Sequence, residues 1–411
     1  MSKQIGLKSV KVKQCVPLFK GEEKANAIEL VYLEEVGNAI VSQIGLFHKG
    51  DVAFFIEPDY CIPRCSLFES YYAPNGDESR CKLGSNGRIK AIKFNLHTGN
   101  NIPVYSYGIL LPENEVFQFL GKTVDDLVRM SEANSIPFDA IVSGLLDIKK
   151  YEELDIICGN VGNTKQFPRC MYKTDEVNIN NLWNNITYPI RLIGSTKVDG
   201  SSITLYTYLD KFDNRISGIC SRNFEKPLTV KMVSGKHYSL FECLLTHLTF
   251  GLYKPKGTLT YSELPSNDDF VRIGKSYLDT LIAYADEQNL NIALRGELNG
   301  VGFKGSGNKN NPDGKSQPNI KFYGADVYDG YSCDKCNDDM FQWYIDRLGF
   351  KRCDKLFHRN FRSKKEIIDR CEKEFMQAKR DDNKLLEGIV LKTEDSSWSA
   401  KYMNLEYDSK K

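Results

Sequence analysis

The part of this sequence with the clearest chemical potential is a lysine in a short turn of small residues. Lys197 lies within STKVDGSS (195–202), immediately before the strand-like stretch ITLYTY. Gly200 in this turn would let a phosphate-bearing ligand approach the backbone closely. A free lysine side chain has a pKa of about 10.4, so a lysine nucleophile needs neighbouring cations, a metal or desolvation to become neutral. The turn alone fits either a covalent nucleophile or a surface lysine.

Several polar segments follow Lys197 along the chain. They are SRN (221–223), RGELNG (295–300) centred on Glu297, LEGIVLK (386–392) with Glu387 ahead of a strand, and SAKYMN around Lys401. A guanidinium suits phosphate, and carboxylate oxygens suit Mg²⁺ or Mn²⁺. Each segment by itself would fit an ordinary surface.

In this order the segments resemble a known family. KVDGSS, SRN, GELNG, EGIVLK and the segment around Lys401 resemble motifs I, Ia, III, IV and V of the covalent nucleotidyltransferases, which comprise ATP and NAD ligases and mRNA capping enzymes. AIELVYLEEVG, HKGDVAFFIEPDYCIP, GRIKAIKF and SYGILLP are similar to the N-terminal OB domain of one RNA ligase branch, in which a segment like FPRCMYKTDEVNINN (167–181) joins the two domains. The resemblance covers nearly the whole chain. It implies an ATP-dependent RNA ligase of RNA repair, which joins 3′-hydroxyl and 5′-phosphate ends through lysyl-AMP and RNA-adenylate intermediates.

The resemblance also implies roles for three lysines. Lys197 would attack the α-phosphate of ATP, expel pyrophosphate and hold AMP as a phosphoramidate. Lys392 and Lys401 would lie against that phosphate, where cations stabilise the transition state and favour a neutral nucleophile.

The remaining matched residues would bind the nucleotide and its metal. Glu297 and Glu387 would contact the ribose and bind Mg²⁺ or Mn²⁺. Arg222 and Asn223 would contact the ribose and the 5′-phosphate of the substrate.

Three positions depart from the family pattern. Thr196 stands where many RNA ligases of this branch have Glu, although a threonine can still form a hydrogen bond to the nucleobase. Ala325 aligns with the aromatic residue that usually stacks on adenine, and Phe322 or Tyr323 is then the substitute. Lys401 lacks the second lysine two residues away that motif V often has.

The elements around these residues predict an α+β chain. Residues 1–150 contain short strands separated by Gly and Asp turns, which fits an OB-like β-barrel. The resemblance implies that this barrel binds nucleic acid. A polar linker is expected over 151–185, and the nucleotidyltransferase domain over 186–411, built of ATP-grasp-like antiparallel sheets with helices. FLGKTVDDLVRM, with Thr123 as its N-cap, predicts a helix leading out of the barrel. KSYLDTLIAYADEQN and KKEIIDRCEKEFMQAK predict amphipathic helices in the second domain.

Composition places the chain among ordinary globular proteins. Of its 411 residues 41% are hydrophobic and 27% charged, the net charge is +1, and no apolar run is long enough to cross a membrane. Twelve scattered cysteines without an export signal indicate reduced thiols in the cytoplasm or nucleus rather than a secreted protein. Because the net charge is close to zero, RNA must bind at a local basic patch, for which Arg88, Lys90 and Lys93 are candidates. We expect a monomer that acts on a nicked duplex or an RNA/DNA hybrid.

Three other functions stay open at this point. The first is a non-catalytic nucleic-acid-binding module, the second is a GTP-dependent RNA guanylyltransferase, and the third is DNA-only ligation. DNA ligases and capping enzymes carry an OB domain after motif V, whereas about ten residues follow Lys401 here. Cys333 and Cys336 form a CxxC, but without a second close pair it is weak support for zinc.

Overall fold

The computed structural model of the protein describes residues 6–34, 36–37, 39–100, 102–151, 165–168, 171–172, 176–237, 239, 242, 246–248, 254, 258–329, 332–382 and 385–409. The N-terminal part of the chain contains short strands followed by helices. Its elements are β1 (Leu7–Lys20), β2 (Glu23–Leu33), β3 (Ala39–Gln43), β4 (Val52–Ile56), β5 (Tyr60–Cys61), α1 (Glu69–Tyr72), β6 (Ile92–Phe94), β7 (Val104–Ser106), β8 (Ile109–Pro112), α2 (Glu113–Leu120), α3 (Val124–Asn134), α4 (Phe138–Leu145) and β9 (Lys149–Lys150).

The main N-terminal sheet is curled like half of a barrel. Its strand order is β3-β2-β1-β4-β8, and register shifts in the long β1 bend it so that one half pairs with β2 and the other with β4. The edges approach each other, because Tyr107 N donates a hydrogen bond of 3.2 Å to the carbonyl of Ala39. The curled sheet is consistent with the expected OB-like barrel.

Three helices cover one side of this sheet. Thr123 caps α3 in a capping box with Asp126, as the sequence predicted. The helices do not lead away from the barrel, however. Val116, Leu127 and Val142, one from each helix, are fully buried in the same core as Leu7 and Phe54. The expectation that this segment leads out of the barrel is therefore wrong, because its apolar face completes the N-terminal core.

The second part of the chain folds into two larger sheets. Its elements are β10 (Lys165–Gln166), β11 (Val177–Asn178), β12 (Ile190–Lys197), β13 (Ser201–Leu209), β14 (Arg215–Cys220), β15 (Phe224–Lys226), β16 (Thr229–His237), β17 (Thr258–Pro265), α5 (Asp269–Glu287), β18 (Ile292–Asn299), β19 (Asn319–Tyr328), β20 (Cys333–Lys335), α6 (Asp338–Leu348), β21 (Lys355–Phe361), α7 (Lys364–Asp382), β22 (Gly388–Lys392), β23 (Ser399–Met403) and α8 (Leu405–Ser409). The strand order is β10-β15-β14-β13-β18-β19-β20 in one sheet and β11-β23-β22-β12-β21 in the other.

Each large sheet has its own core. Helices α5 and α6 bury their apolar faces, including Leu278 and Phe341, against the seven-stranded sheet. Helix α7 buries Ile367 and Phe375 against the five-stranded sheet. Both long helices arise from the 3.6-residue periodicity seen in the sequence.

The mixed α+β fold is confirmed, as are the strand predicted at ITLYTY (β13) and the helices α5 and α7. The division at 150 and 185 stays a prediction, since much of the expected linker lies outside the described residues. Where that segment is described, β11 pairs in parallel with β23, and Ile179 is fully buried.

Candidate active site

The lysine turn joins the two large sheets. Lys197 is the last residue of β12 in the five-stranded sheet, and β13 of the seven-stranded sheet begins at Ser201. A Cβ on Gly200 would lie 2.5 Å from the carbonyl oxygen of Leu298 and 2.9 Å from Cγ of Glu297. The close approach of strand β18 thus requires a glycine here. We had expected the close approach of a ligand to be the reason.

Lys197 faces a carboxylate from the neighbouring strand. Its Nζ donates a hydrogen bond of 2.5 Å to Oε2 of Glu387, which immediately precedes β22. The register brings the two together, because Lys197 pairs with Gly388 across β12 and β22. The side chain of Glu387 is only 6% exposed and that of Lys197 25% exposed, so the lysine is the partner that a ligand can reach.

The pocket beside Lys197, called the central pocket below, receives side chains from both large sheets and from the N-terminal part. Among its lining residues are Lys197, Glu297, Tyr323, Glu387, Lys401 and Arg88. It therefore brings the predicted nucleophile together with both predicted metal ligands.

The carboxylates in this pocket influence one another. Burial raises the pKa of Glu297 to about 7, and the nearby carboxylates of Glu387 and Asp199 add to the effect. Lys197 and Lys304 act in the opposite direction. A group with a pKa near 7 exchanges its proton readily at neutral pH, and a bound cation would favour its ionised form.

These oxygens fit a divalent cation that is shared with a substrate. Among the described residues, no three His, Cys, Asp or Glu side chains lie close enough to form a complete metal site. Mg²⁺ commonly binds through one or two carboxylates together with phosphates and water. Glu297 and Glu387 meet that requirement. In the described part of the chain no third His, Cys, Asp or Glu joins Cys333 and Cys336 in a group that could hold a metal ion.

Lys401 also reaches the central pocket. Lys401 lies on β23, opposite Val390 of β22. Burial lowers the pKa of Lys401, and the cation of Lys197 acts in the same direction, whereas Asp59 and Glu176 oppose it. The two lysines thus disfavour each other's charge.

Lys392 lies farther along the sheet from Lys197, and its predicted role stays a prediction. It pairs with Ile193, four residues before Lys197 on β12, which corresponds to about 13 Å along a strand. Its Nζ donates a hydrogen bond of 2.7 Å to the carbonyl of Tyr323 and lies over that ring. Burial lowers the pKa of Lys392 to about 8. This lysine supports Tyr323 and does not line the central pocket with Lys197.

A β-bulge decides which aromatic residue faces the pocket. Across β18 and β19, Arg295 pairs with Gly324 but Gly296 pairs with Phe322, which leaves Tyr323 as the extra residue. Phe322 and Ala325 consequently both point into the core beneath the sheet, where the Phe322 ring stacks on Phe350. Phe322 is therefore not available to a nucleotide, and Ala325 does not occupy a stacking position. Tyr323 lines the pocket instead.

Thr196 is held by the backbone of Asp354. Its Oγ1 accepts a hydrogen bond of 3.1 Å from Asp354 N, and its own N–H donates to the Asp354 carbonyl. Thr196 lines the central pocket, and its hydroxyl proton is still able to act as a donor.

Arg222 and Asn223 follow β14 in a tight turn. Arg222 is exposed and lines the central pocket. Asn223 is half-buried, and its carbonyl accepts a hydrogen bond from Phe167 N. The structure places Arg222, but not Asn223, among the residues lining that pocket.

The predicted basic patch is divided. Arg88 is half-buried: its Nε donates a hydrogen bond of 3.0 Å to Asp59, and its guanidinium lies over the Tyr151 ring. It lines the central pocket. Lys93 is exposed and Lys90 half-buried, so the three residues differ in their surroundings, and their role in RNA binding stays a prediction.

Sequence reasoning missed several pocket residues. They are Asp59, Lys150, Tyr151, Glu176 and Cys353. Glu176 lies in the segment that resembles the family's joining segment, and Asp59 lies in HKGDVAFFIEPDYCIP, which is similar to the OB domain, so both had that signal. Tyr151 had none, because it reaches the pocket only through the packing of the N-terminal part against the sheets.

The chain is similar in sequence and in fold to known proteins. Residues 190–403 match the model of a family described as RNA ligase. No curated protein matches. Among solved structures, an RNA ligase of Naegleria gruberi with AMP and Mn is similar, with a TM-score of 0.66, 18% identity and 99% of both chains covered. The same ligase with pyrophosphate gives a TM-score of 0.64 at 18% identity, and with ATP and Mn 0.62 at 17% identity, each with 98% of both chains covered. No described helix is long and apolar enough to span a membrane.

Proposed function

Because the chain belongs to the RNA ligase family, we propose that it is an ATP-dependent RNA ligase in which Lys197 carries AMP. The observation that supports this most directly is the meeting of Lys197, Glu297, Glu387 and Lys401 in the central pocket. These residues come from four different strands or strand ends and are brought together only by the fold.

The first step is nucleotidyl transfer to the lysine. The neutral Nζ of Lys197 attacks the α-phosphorus of ATP, a P–N bond forms, and the bond to pyrophosphate breaks. Lys197 must first leave its hydrogen bond to Glu387 and lose a proton, since an ammonium group has no lone pair to donate. The buried, cationic Lys401 lowers the free energy of that change and stabilises charge on the α-phosphate.

Glu297 and Glu387 are the residues that would hold a divalent cation in this pocket. Such a cation supplies charge neutralisation at the phosphates. Tyr323 provides the aromatic surface for the nucleobase, and Arg222 binds ribose or phosphate oxygens. Solved ligases of similar fold contain AMP or ATP with Mn, which supports ATP and Mg²⁺ or Mn²⁺ as cofactors.

The following steps transfer AMP and join the ends. The 5′-phosphate of RNA attacks the lysyl-AMP phosphorus, which frees Lys197 and produces an RNA-adenylate. A neighbouring 3′-hydroxyl then attacks the RNA phosphate and releases AMP. We infer a role in RNA repair on nicked duplexes or RNA/DNA hybrids.

Sealing of a defined break tests this proposal. The wild type and Lys197→Ala are incubated with ATP, Mg²⁺ or Mn²⁺, and a nicked duplex whose nick carries a labelled 5′-phosphate. Phosphatase-resistant joined product is expected only with the wild type and ATP. A nick with a 5′-hydroxyl serves as the control substrate. Joining by Lys197→Ala, or no joining of duplex, hybrid and single-stranded ends, would contradict the proposal.

A further inference from the structure

The short helix α8 contacts the catalytic region at several points. It follows Asn404, whose Oδ1 accepts a hydrogen bond of 3.1 Å from Glu406 N and so caps the helix. Tyr407 and Asp408 on this helix are almost completely buried. A five-residue helix has little stability of its own, so its conformation depends on these contacts.

The first contact is with the lysine turn. The Tyr407 hydroxyl donates a hydrogen bond of 2.7 Å to Oδ2 of Asp199, two residues after Lys197. Tyr407 is fully buried and Asp199 is 3% exposed, so water has little access to this bond. Burial raises the pKa of the Tyr407 phenol, and Asp199 raises it further, which keeps the hydroxyl protonated as a donor.

The second contact is with the partner of the nucleophile. Asn404 N donates a hydrogen bond of 3.0 Å to the carbonyl of Glu387, and Nδ2 of Asn404 donates one of 2.9 Å to the carbonyl of Leu386. The residue that caps α8 thus also fixes the backbone of Glu387.

The third contact reaches the N-terminal part of the chain. Oδ2 of Asp408 accepts a buried hydrogen bond of 2.9 Å from Ala91 N, across 317 residues of sequence. Ala91 lies three residues after Arg88, which lines the central pocket.

From these three contacts we propose that α8 is a positioning element for nucleotidyl transfer, with Tyr407 as a positioning residue that acts through Asp199. Tyr407 fixes the turn after Lys197, and Asn404 fixes the backbone of Glu387, so α8 sets the relative placement of the nucleophile and its carboxylate. Asp408 joins the segment that carries Arg88 to the same element. This inference rests on the proposed function, because the geometry it controls is that of the lysine transfer.

The chain offers a matched control for Tyr407. Tyr402 on β23 also donates its hydroxyl to a carboxylate, at 2.8 Å from Oε1 of Glu372, but that contact is on an exposed side. Tyr402→Phe and Tyr407→Phe each remove one hydroxyl group from a tyrosine–carboxylate pair. Only the second removal affects the lysine turn.

The experiment measures single-turnover labelling of the protein by α-labelled ATP as a function of ATP concentration, together with thermal unfolding. We expect Tyr407→Phe to lower the maximal rate by about tenfold to hundredfold, the effect of one hydrogen bond to a buried charged group, with little change in the half-saturating ATP concentration. Tyr402→Phe should keep the wild-type rate. Equal rates for the two variants, or a change confined to the half-saturating concentration, would overturn the inference.

A double-mutant cycle separates positioning from general stability. If Tyr407 acts through Asp199, Tyr407→Phe should slow Asp199→Asn by much less than it slows the wild type. Fully additive losses would overturn the inference. Absence of labelling in the wild type would instead contradict the proposed function, so the two failures are distinguishable.

Discussion

Nζ of Lys197 and Oε2 of Glu387 lie 2.5 Å apart, although 190 residues separate them in the sequence. The pair holds the lysine as a charged donor before nucleotide arrives. In the proposed cycle Glu387 first pairs with the ammonium group of Lys197. It then becomes an oxygen ligand of the divalent cation once the phosphates of ATP enter the pocket.

Glu387→Gln should lose most of the nucleotidyl transfer. An amide can still accept a hydrogen bond from Lys197, but it is a poor ligand for Mg²⁺. We expect the rate of labelling by ATP to fall by about hundredfold or more, a few kcal/mol of transition-state stabilisation. Glu372→Gln is the control. A Glu387→Gln rate within a factor of about three of the wild type would show that the carboxylate charge is not required.

The pKa of Glu297 predicts how stability depends on pH without metal. Burial raises this pKa to about 7, so between about pH 4.5 and 7 the folded protein binds a proton that the unfolded chain has lost. Stability from this group is present at low pH and is lost as pH rises through 7. The melting temperature should therefore fall between pH 5 and 8 by more in the wild type than in Glu297→Gln. If the melting temperatures of the wild type and Glu297→Gln fell equally between pH 5 and 8, a raised pKa of Glu297 would be contradicted.

Tyr323 should determine nucleotide affinity, because the bulge turns it into the pocket. Tyr323→Ala is expected to raise the half-saturating ATP concentration by about tenfold or more, as base stacking is worth about 1–3 kcal/mol. Tyr323→Phe should remain close to the wild type. Phe322→Leu, in the core, should lower the melting temperature with little effect on ATP affinity. If Phe322→Leu weakened ATP affinity and Tyr323→Ala only lowered the melting temperature, Phe322 and not Tyr323 would be the residue that faces the nucleotide.

Replacement of Arg88 and of Lys93 by alanine should have different effects, although the two residues are only five positions apart in the sequence. Arg88→Ala is expected to slow labelling by ATP when no RNA is present, because its guanidinium lines the central pocket. Lys93→Ala should leave that reaction unchanged and weaken RNA binding with a smaller salt dependence. Titrations at several salt concentrations, alongside labelling without RNA, check both expectations. If Arg88→Ala were labelled by ATP at the wild-type rate, Arg88 would not act in the central pocket. It would then be expected to act with Lys90 and Lys93 in RNA binding.

Much of the fold follows from sequence pattern, and the site follows in part. The resemblance of the ordered motifs to the covalent nucleotidyltransferases implied Lys197, Glu297, Glu387 and Lys401, and each of these residues lies at or beside a strand. The alternation of side chains along β19 could not predict which sheet face Phe322, Tyr323 and Ala325 lie on. A single bulged residue reverses the face of every residue that follows it in the strand.

Other parts of the site depend on contacts between distant segments. The resemblance placed Lys392 and Lys401 together at the α-phosphate, but the strand register carries Lys392 four residues away from the level of Lys197. Arg88 looked like a member of a basic cluster until packing paired it with Asp59. Charge clustering along a sequence does not reveal which side chains turn inwards.

The central claim is that Lys197 forms a covalent bond with AMP, and labelling of the protein tests it most directly. Wild type and Lys197→Ala are incubated with α-labelled ATP or α-labelled GTP and Mg²⁺ or Mn²⁺, denatured and separated on a gel. The account predicts label from ATP on the wild type alone, stable to denaturation and released by acid as expected of a phosphoramidate. Label on Lys197→Ala, preferential labelling by GTP, or no label with either metal would contradict it.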